Sequence, residues 1–329
     1  MSTFGLPNLE PELEATIATG LSQVEAMLTS KIQGKYLFAN ETSRHLIDAG
    51  GKRFRPLITI LGSLVGDGIN EKVIKAAAVC ELTHLATLYH DDVMDEAPLR
   101  RGVESANSRW GNSVAILTGD YLFAKMSQIL AELGPEAVKL QADTFERLVI
   151  GQIQETQGPA TGIDPLEHYL QVVADKTGSL IATSLRFGAM FAGCTRDEIE
   201  TLTLFGEKIG VAFQLADDII DIASDAHESG KTPGTDLREG IPTLVTLNAL
   251  KSDDPNDASL KLALSGAITS EEKVQWVLSE LRSHKALTQS RLQLQGIAKE
   301  ARSALGQLPI SDASSALYSL CDLVIERVG

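Results

Sequence analysis

Apolar residues recur three and four positions apart along most of the chain, while sustained alternation of apolar and polar residues is hard to find. This spacing is typical of amphipathic helices and predicts an all-α protein. The ranges predicted to be helical are 10–30, 38–49, 54–66, 71–96, 112–132, 135–157, 165–192, 196–224, 242–251, 271–304 and 311–327. Two stretches that interrupt the pattern, 97–111 and 226–241, contain Gly, Pro and polar turn residues and are predicted to be loops.

Local signals mark where several of these helices begin. Pro135 follows Gly134 and Pro165 follows Asp164, as expected for proline at the first helical position. The segments 195–198 and 269–272 each fit a capping box, in which a hydroxyl and a carboxylate three residues later satisfy free amide groups. Each signal predicts a helix start.

Composition predicts one large domain. The chain has 329 residues, of which 43% are hydrophobic, and no Pro/Gly/Ser-rich linker or shift in composition divides it. We therefore expect a single domain over 1–329. Cys80, Cys194 and Cys321 are scattered without metal-ligand spacing, so they are expected to be core residues rather than disulfide or zinc ligands.

The net charge and the N-terminal segment limit the classes of function that fit the sequence. The formal net charge is -15, from 44 acidic and 29 basic residues, which makes nonspecific nucleic-acid binding unfavourable. The N-terminal segment lacks the basic region and apolar core of a signal peptide, and the longest apolar runs are about ten residues, too short to span a bilayer. We expect a cytoplasmic protein without a transmembrane segment.

Two aspartate clusters share the pattern D-D-x-x-D. On an α-helix, residues four apart are separated by about 6 Å of rise and about 40° of rotation, so the first and last carboxylates of a cluster face one way. A solvated acidic face explains one such cluster, but two identical clusters within apolar helices indicate carboxylates that point into a cavity. The clusters are Asp91, Asp92 and Asp95, and Asp217, Asp218 and Asp221.

Neighbouring carboxylates at a cavity require a cation. Calcium prefers six to eight oxygen ligands, and neither cluster has an EF-hand loop, whereas magnesium accepts a few carboxylates and completes its shell with water and substrate phosphates. Basic residues suited to phosphate binding lie beside turns near these clusters. They are Lys52, Arg53, Arg55, Arg100, Arg101, Lys176 and Lys231. The sequence thus favours Mg²⁺ and a phosphorylated ligand.

Five motifs occur in one order between residues 50 and 243: GGKRFRP, HDDVMDEAPLRRG, DKTG, FQLADDIID and GKTPGTDLREGIPT. Together they resemble the trans-isoprenyl diphosphate synthases, or polyprenyl synthetases. The resemblance implies a single-domain, isoprenoid synthase-type helical bundle around a deep central cavity, with the two aspartate motifs facing each other across it, and a homodimer. It also implies a prenyltransferase that condenses isopentenyl diphosphate head to tail with an allylic diphosphate.

The resemblance also assigns roles to individual residues. The catalytic residues it implies are Asp91, Asp95, Lys176, Asp217 and Lys231. All six aspartates, namely Asp91, Asp92, Asp95, Asp217, Asp218 and Asp221, are implied to bind two or three Mg²⁺ ions directly or through water. Arg100, Lys176, Thr177, Gln214 and Lys231 are implied to hold the allylic diphosphate, and Lys52, Arg55, His84 and Arg101 the isopentenyl diphosphate. The chain departs from the family at Ile241, where many short-chain members carry a lysine, so this part of the binding site for the allylic diphosphate is expected to be weaker or supplied by another residue.

Product length is expected to depend on the helix that carries the first motif. In the family, an aromatic residue four or five positions before the first aspartate stops chain growth, and here those positions are Thr87 and Ala86. Cys80 and Ala77 are also small, which favours an open wall, although small residues equally suit close helix packing. We expect an all-trans product of C30 to C50, a quinone side-chain precursor, with a C20 product as the main alternative if Phe123 or Met126 on a facing helix closes the tunnel.

Three other classes fit less well. If the protein were a cyclising terpene synthase, GGKRFRP and the paired arginines would have no obvious role. If it were a plain helical scaffold, both aspartate clusters would be unexplained. A noncatalytic subunit of a two-component synthase usually loses its aspartate motifs, and this chain keeps both.

A long product would leave through transient contact with a membrane or through a partner.

Overall fold

The computed structural model describes residues 9–224 and 233–328, and the protein is predominantly helical over these ranges. The predicted all-α fold class is confirmed. The only sheet in the described ranges is a hairpin of two short antiparallel strands, β1 (Leu99–Arg100) and β2 (Val103–Glu104). No helix in these ranges is both long and apolar enough to cross a bilayer.

The chain groups into two compact units that interleave along the sequence. The first comprises residues up to 145, 180–203 and 307–317, and the second comprises 146–179, 204–306 and the residues from 318 on. The first aspartate motif belongs to the first unit and the second motif to the second unit. The expectation of one domain over 1–329 stays a prediction.

The helices of the first unit come early in the chain. They are α1 (Pro11–Ile32), α2 (Leu37–Asp48), α3 (Phe54–Ser63), α4 (Glu71–Met94), α5 (Ala106–Trp110) and α6 (Asn112–Leu133). The helices with residues in both units are α7 (Pro135–Gln157), α9 (Ser179–Phe191), α10 (Arg196–Ala223) and α16 (Asp312–Glu326).

The second unit begins with α8 (Pro165–Val173), which runs into one wider turn of π-helix, the π-turn (Ala174–Gly178). Its later helices are α11 (Thr235–Glu239), α12 (Leu244–Leu250), α13 (Ala258–Ala263), α14 (Glu271–Ser283) and α15 (Lys285–Ala304). Single 3₁₀ turns lie at Pro255–Asp257 and Leu305–Gln307.

Most predicted helix starts are confirmed. Helix α7 begins at Pro135, and α8 begins at Pro165 with the Asp164 carboxylate accepting from two backbone N–H groups. Before α10, Thr195 and Glu198 form the predicted capping box, with the Thr195 N–H donating to Glu198 Oε2 at 2.7 Å.

One predicted cap was wrong by one residue. The residue that precedes α14 is Ser270 rather than Thr269, and its hydroxyl accepts from the N–H of Lys273 at 3.4 Å. The predicted helix start at residue 271 is nevertheless confirmed.

Several predicted boundaries were also wrong. The range 165–192 contains the π-turn between two helices, and 271–304 is two helices because His284 ends one and caps the next through its ring Nδ1, which accepts from the Ala286 N–H. The predicted loops 97–111 and 226–241 contain the hairpin with α5 and the short helix α11, respectively. The described part of the second loop begins at residue 233.

Glycines allow the helices of the first unit to approach closely. A Cβ added to Gly188 of α9 would lie 2.0 Å from the Thr59 carbonyl oxygen of α3, and one added to Gly62 would lie 2.8 Å from that of Leu185. A Cβ on Gly119 of α6 would lie 3.1 Å from the Ala86 carbonyl oxygen of α4. Contacts at these distances leave no space for a side chain, so α4, which carries the first aspartate motif, is held firmly against α6.

Candidate active site

The first aspartate motif lies where α4 ends. Asp91 and Asp92 belong to its last turn, and Asp95 is the C-cap, with its N–H donating to the Asp91 carbonyl oxygen at 2.8 Å. The C-terminal end of a helix carries partial negative charge, so carboxylates placed there are unfavourable unless a cation compensates them. The partial negative charge of this helix end is therefore a second reason, besides the three aspartates, to expect a cation here.

Within this motif, the second carboxylate already has a protein cation. Asp92 is fully buried, and Nε of Arg100 donates to its Oδ1 at 2.6 Å. Burial raises the pKa of Asp92, although Arg100 opposes that shift. Its Oδ2 is buried without a hydrogen-bond partner, whereas Asp95 is exposed. Asp92 thus fixes Arg100 in the hairpin, and the outer aspartate lies closer to solvent.

A buried carboxylate contacts two arginines of the first unit. Glu81 of α4 is 1% exposed, and Arg53 Nη1 donates to its Oε1 at 3.1 Å while Arg101 Nη2 lies 3.7 Å away. Arg101 has a φ of 55° and also donates to the backbone carbonyl oxygens of Leu46 and Gly50. Arg53 also pairs with Glu25, so this cluster combines two carboxylates with the guanidinium groups near the start of α3.

The remaining predicted binding residues of the first unit differ in exposure. Lys52 is exposed, His84 is partly buried on α4, and Arg55 on α3 has a buried Nε without a hydrogen-bond partner. Burial, together with the charges of Arg55 and Arg101, lowers the pKa of His84 well below its usual value. His84 is therefore neutral near pH 7 and can take part through hydrogen bonding but not through charge.

The second aspartate motif lies near the C-terminal end of α10. Asp218 is 4% exposed and accepts from the Tyr169 hydroxyl and from Gln214 Nε2, the latter at 2.9 Å. Burial raises the pKa of Asp218 to about 6. The side chain of Asp217 is 48% exposed and accepts from Arg327 Nη2 at 2.5 Å.

The third carboxylate of this motif holds the backbone of a neighbouring segment. Asp221 accepts from the backbone N–H groups of Thr235 at 3.2 Å and Asp236 at 3.4 Å. Burial raises the pKa of Asp221, and these backbone donors oppose the shift. The contact fixes the start of α11 beside the second motif.

A cavity of ≈ 540 Å³ lies in the second unit beside this motif. Its walls include Lys176 and Thr177 from the π-turn, Gln214 and Asp218 from α10, and Asp236 from α11. Ile241, where the sequence departs from the family pattern, also lines it and supplies an apolar wall. The predicted residues Lys176, Thr177, Gln214 and Asp218 are therefore brought together around one space.

The polar groups of this cavity are linked to one another. Lys176 Nζ lies 2.6 Å from Glu155 Oε2, and the Thr177 hydroxyl donates to Gln214 Oε1 at 3.3 Å. Because Gln214 also donates to Asp218, the π-turn is connected to the second motif through one amide side chain. Lys231, also predicted for this site, lies outside the described residues.

Sequence reasoning missed four groups at this site: Tyr169, Glu155, Arg327 and Asp236. Burial and the nearby Asp218 and Asp221 raise the pKa of Asp236 to about 8. Its place in the motif GKTPGTDLREGIPT is a signal that pointed to it. Tyr169 lies 49 residues from Asp218 in sequence, and nothing in the pattern links the two.

The carboxylates are suited to a cation that is shared with a ligand. Over residues 9–224 and 233–328, no three His, Cys, Asp or Glu side chains converge closely enough to hold a metal ion by themselves. Magnesium characteristically takes one or two carboxylates and completes its shell with water and phosphate oxygens. In the first unit, Asp91 and Asp95 offer carboxylate oxygens of this kind, and in the second unit Asp217 does.

The helix face expected to control product length is closely packed. Ala77, Cys80 and Ala86 are fully buried, and burial raises the pKa of the Cys80 thiol to about 11. Close helix packing therefore accounts for Cys80, while Thr87 remains half-buried.

On the facing helix α6, Phe123 packs against two rings of the first unit. Its ring centroid lies 4.6 Å from that of Phe145 and 5.8 Å from that of His90. Met126, the other candidate for closing a tunnel, is 6% exposed. An aromatic cluster therefore adjoins the residue that precedes the first motif.

The fold is all-helical, and its aspartate-rich helix ends lie near cationic side chains, a combination suited to enzymes that act on diphosphates. Comparison with known proteins is more specific, because the family model described as Polyprenyl synthetase matches residues 38–281. The chain belongs to the polyprenyl synthetase family and is a prenyltransferase, which confirms the family and the enzyme class predicted from the motifs.

Three similar proteins place the chain within that family. It is 46% identical over 316 residues to the nonaprenyl diphosphate synthase of Mycobacterium tuberculosis, covering 96% of this chain and 94% of the relative. It is 35% identical to heptaprenyl diphosphate synthase component 2 of Geobacillus stearothermophilus, covering 94% and 97%. The crystal structure of geranylgeranyl pyrophosphate synthase from Corynebacterium glutamicum, complexed with calcium and isoprenyl diphosphate, matches with a TM-score of 0.89 and 44% identity, covering 98% and 99%.

Proposed function

We propose that the protein is an all-trans polyprenyl diphosphate synthase that extends an allylic diphosphate with isopentenyl diphosphate to a C30 to C50 product. The observation that carries the proposal is the retention of both aspartate motifs, each at a helix C-terminus beside cationic side chains, in a member of the polyprenyl synthetase family. The product range rests on the similarity to nonaprenyl and heptaprenyl synthases.

The allylic diphosphate is held by the aspartate motifs and the cationic residues near them. We assign Asp91, Asp95 and Asp217 as ligands of two or three Mg²⁺ ions, with Asp92, Asp218 and Asp221 supporting them. When bound, Mg²⁺ supplies Lewis-acid charge neutralisation for the departing diphosphate. Arg100, Lys176 and Lys231 add positive charge to the same leaving group, and Thr177 and Gln214 add neutral hydrogen bonds.

Isopentenyl diphosphate is held by Lys52, Arg55, His84 and Arg101. The concentration of guanidinium groups around Glu81 supports this assignment, because bidentate arginine contacts suit diphosphate oxygens. A neutral His84 donates or accepts a hydrogen bond there without competing for a proton. The residues orient the second substrate and prevent its diphosphate from leaving.

Two other products or assemblies have support from a specific relative. The similarity to the Corynebacterium geranylgeranyl synthase favours a C20 product, and the similarity to component 2 of a heptaprenyl synthase favours a subunit of a two-component enzyme. Both alternatives keep the same residues in the same roles.

The family resemblance and the net charge also support a proposal for the assembly and the location. We propose a cytoplasmic homodimer that does not bind nucleic acid and contacts a membrane only transiently when product leaves. Exposed apolar side chains on α7, including Ile150 and Ile153, support a contact with a second copy.

The test is an extension assay with the purified full chain. It is incubated with Mg²⁺, labelled isopentenyl diphosphate and, separately, geranyl, farnesyl or geranylgeranyl diphosphate, and the dephosphorylated products are resolved by length. Products of C30 to C50 are expected. A product distribution that ends at C20 would keep the chemistry and replace the proposed length.

Matched variants connect the activity to the aspartates. Asp217→Asn removes a proposed metal ligand and is expected to lower kcat by about 100-fold or more, whereas Asp143→Asn alters an exposed carboxylate paired with Lys139 and leaves kcat unchanged. If the wild type extends no primer alone but does so with a second component, the single-chain proposal is replaced by the two-component one.

A further inference from the structure

The turn that carries Lys176 and Thr177 is not α-helical. Residues 174–178 form a π-turn between α8 and α9, a geometry that accounts for well under 1% of residues in proteins and is found frequently at functional sites. Both side chains line the ≈ 540 Å³ cavity. Their positions therefore depend on whatever holds this wider turn in place.

Asp175 is the residue that ties the turn to its neighbours. It is 7% exposed, and both carboxylate oxygens accept hydrogen bonds: Oδ1 from Arg147 Nε at 2.9 Å and Oδ2 from Gln171 Nε2 at 2.6 Å. Arg147 in turn donates through Nη1 to Glu207 Oε1 at 2.5 Å. One arginine of α7 thus links the π-turn to α10.

The backbone of α7 also approaches the turn closely. A Cβ added to Gly151 would lie 2.9 Å from the Lys176 amide nitrogen and 3.1 Å from the Asp175 Cβ. Gly151 is four residues after Arg147, so both lie on the same face of α7. On that face, the backbone of Gly151 packs directly against the π-turn, and Arg147 forms an ion pair with Asp175.

Asp175 does not itself line the cavity, whereas the two residues after it do. Surface ion pairs contribute little to stability, and the side chain of Arg147 is 42% exposed. The ion pair with Arg147 is therefore expected to add little to global stability, while the two hydrogen bonds fix the buried carboxylate directly before Lys176.

We propose that Asp175, clamped by Arg147, is a positioning residue that fixes Lys176 and Thr177 on the diphosphate of the allylic substrate. The inference rests on the proposed function and adds to it a specific determinant of allylic-substrate affinity. Asp175 acts through the turn and does not touch the substrate.

Steady-state kinetics of Asp175→Asn test the first consequence. The asparagine side chain has one oxygen and one NH₂ group, so it can accept from only one of the two donors, Arg147 and Gln171. The substitution therefore removes one hydrogen bond at nearly constant volume. We expect KM for the allylic diphosphate to rise about tenfold, with KM for isopentenyl diphosphate changed less than twofold. Arg147→Gln is a second variant with the same expected pattern, and Arg147→Lys is expected to recover part of the loss.

A matched pair elsewhere in the unit provides the control. Arg302 is 49% exposed and donates to Asp322 at 2.7 Å, as Arg147 does to Asp175, but it lies on α15 and does not line the cavity. Arg302→Gln is expected to leave both KM values unchanged. If this variant reproduces the effect of Arg147→Gln, general destabilisation explains the data and the inference is wrong.

A double-mutant cycle decides between positioning and independent stabilisation. Because the proposed effect passes through the π-turn side chains, Asp175→Asn added to a Lys176→Ala, Thr177→Ala chain is expected to change allylic KM less than twofold further. If the tenfold effect persists in that background, Asp175 acts by another route and the inference fails while the enzyme activity stands.

A binding measurement separates this inference from the proposed function. The full chain is titrated calorimetrically with inorganic pyrophosphate in the presence of Mg²⁺, and Asp175→Asn and Lys176→Ala are expected to weaken binding by similar factors. A wild type that extends no primer would remove the proposed function, yet the titration would still be decisive. Unchanged pyrophosphate affinity in Asp175→Asn would overturn the positioning role.

Discussion

The second carboxylate of each D-D-x-x-D motif is committed to protein partners. Asp92 is fully buried against Arg100, and Asp218 is 4% exposed and accepts from Tyr169 and Gln214. The central carboxylate is therefore held by protein donors in both motifs, but the flanking positions differ. Asp95 of the first motif is exposed, whereas Asp217 accepts from Arg327 and Asp221 accepts from backbone N–H groups of the α11 segment. The motif itself can be recognised in the sequence, but the side chains that donate to it cannot.

His84 gives the protein a predictable response to acid. Burial lowers the pKa of folded His84 well below the usual 6.5, with additional repulsion from Arg55, Arg101, Arg100 and Arg53. The unfolded chain therefore binds more protons below pH 6.5, so the free energy of unfolding falls as the pH drops, by up to about 1.4 kcal/mol per pH unit.

Urea unfolding between pH 4.5 and 7.5 measures this effect. His84→Gln cannot titrate, so we expect its acid-side loss of stability to be shallower than that of the wild type. Parallel curves for the two proteins would mean that His84 is protonated in the folded state as well.

Thr87 offers a test of product length at the first motif. It lies four residues before Asp91, on the same face of α4, and is half-buried. If the growing chain runs along this face of α4, as the product-length hypothesis requires, an aromatic ring at this position would block it. We expect Thr87→Phe to shift products below C30, measured by chromatography after dephosphorylation.

The matched variant for this experiment is Thr87→Val, which keeps the volume and β-branching of threonine. It is expected to retain the wild-type product distribution. Long products from Thr87→Phe would indicate that the chain grows along a different face.

At the scale of helices, the sequence predicts that a helix is present more accurately than it predicts where that helix begins and ends. The periodic pattern and the prolines at 135 and 165 locate α7 and α8 correctly, because those signals are local. The π-turn is invisible to the pattern, since Asp175 is held by Arg147 from 28 residues away. The break at His284 was missed for a related reason: neither Gly nor Pro marks it, and a histidine ring does the capping.

Helix packing in the first unit depends on a glycine that can be tested. A Cβ at residue 188 would lie 2.0 Å from the Thr59 carbonyl oxygen and 2.9 Å from the Ser63 amide nitrogen, both backbone atoms of α3. Gly188→Ala must therefore push α9 and α3 apart, and we expect it to lower the free energy of unfolding by about 3 kcal/mol or more.

A glycine with open space provides the comparison for urea unfolding. Gly296 on α15 has no atom within 4 Å of an added Cβ, so Gly296→Ala is expected to raise the free energy of unfolding by about 0.5–1 kcal/mol. If both substitutions are stabilising, the close approach of α9 to α3 is not a feature of the folded protein.

At the scale of the whole molecule, a net charge of -15 keeps copies of the chain apart unless a specific apolar surface brings them together. Helix α7 offers such a surface, because Val149, Ile150 and Ile153 are 38%, 42% and 50% exposed. Residues three and four apart lie on one helix face, so these side chains form a single apolar strip.

The proposed homodimer predicts a sedimentation mass of twice 35.3 kDa at micromolar concentration. Ile150→Glu combined with Ile153→Glu places charge in the strip, and we expect this chain to sediment as a monomer of 35.3 kDa. Leu292→Glu changes a comparably exposed leucine, 62% exposed on α15, and is expected to leave the mass doubled. A wild type that sediments as a monomer would refute the homodimer, and a dimer that survives the paired substitution would place its interface elsewhere.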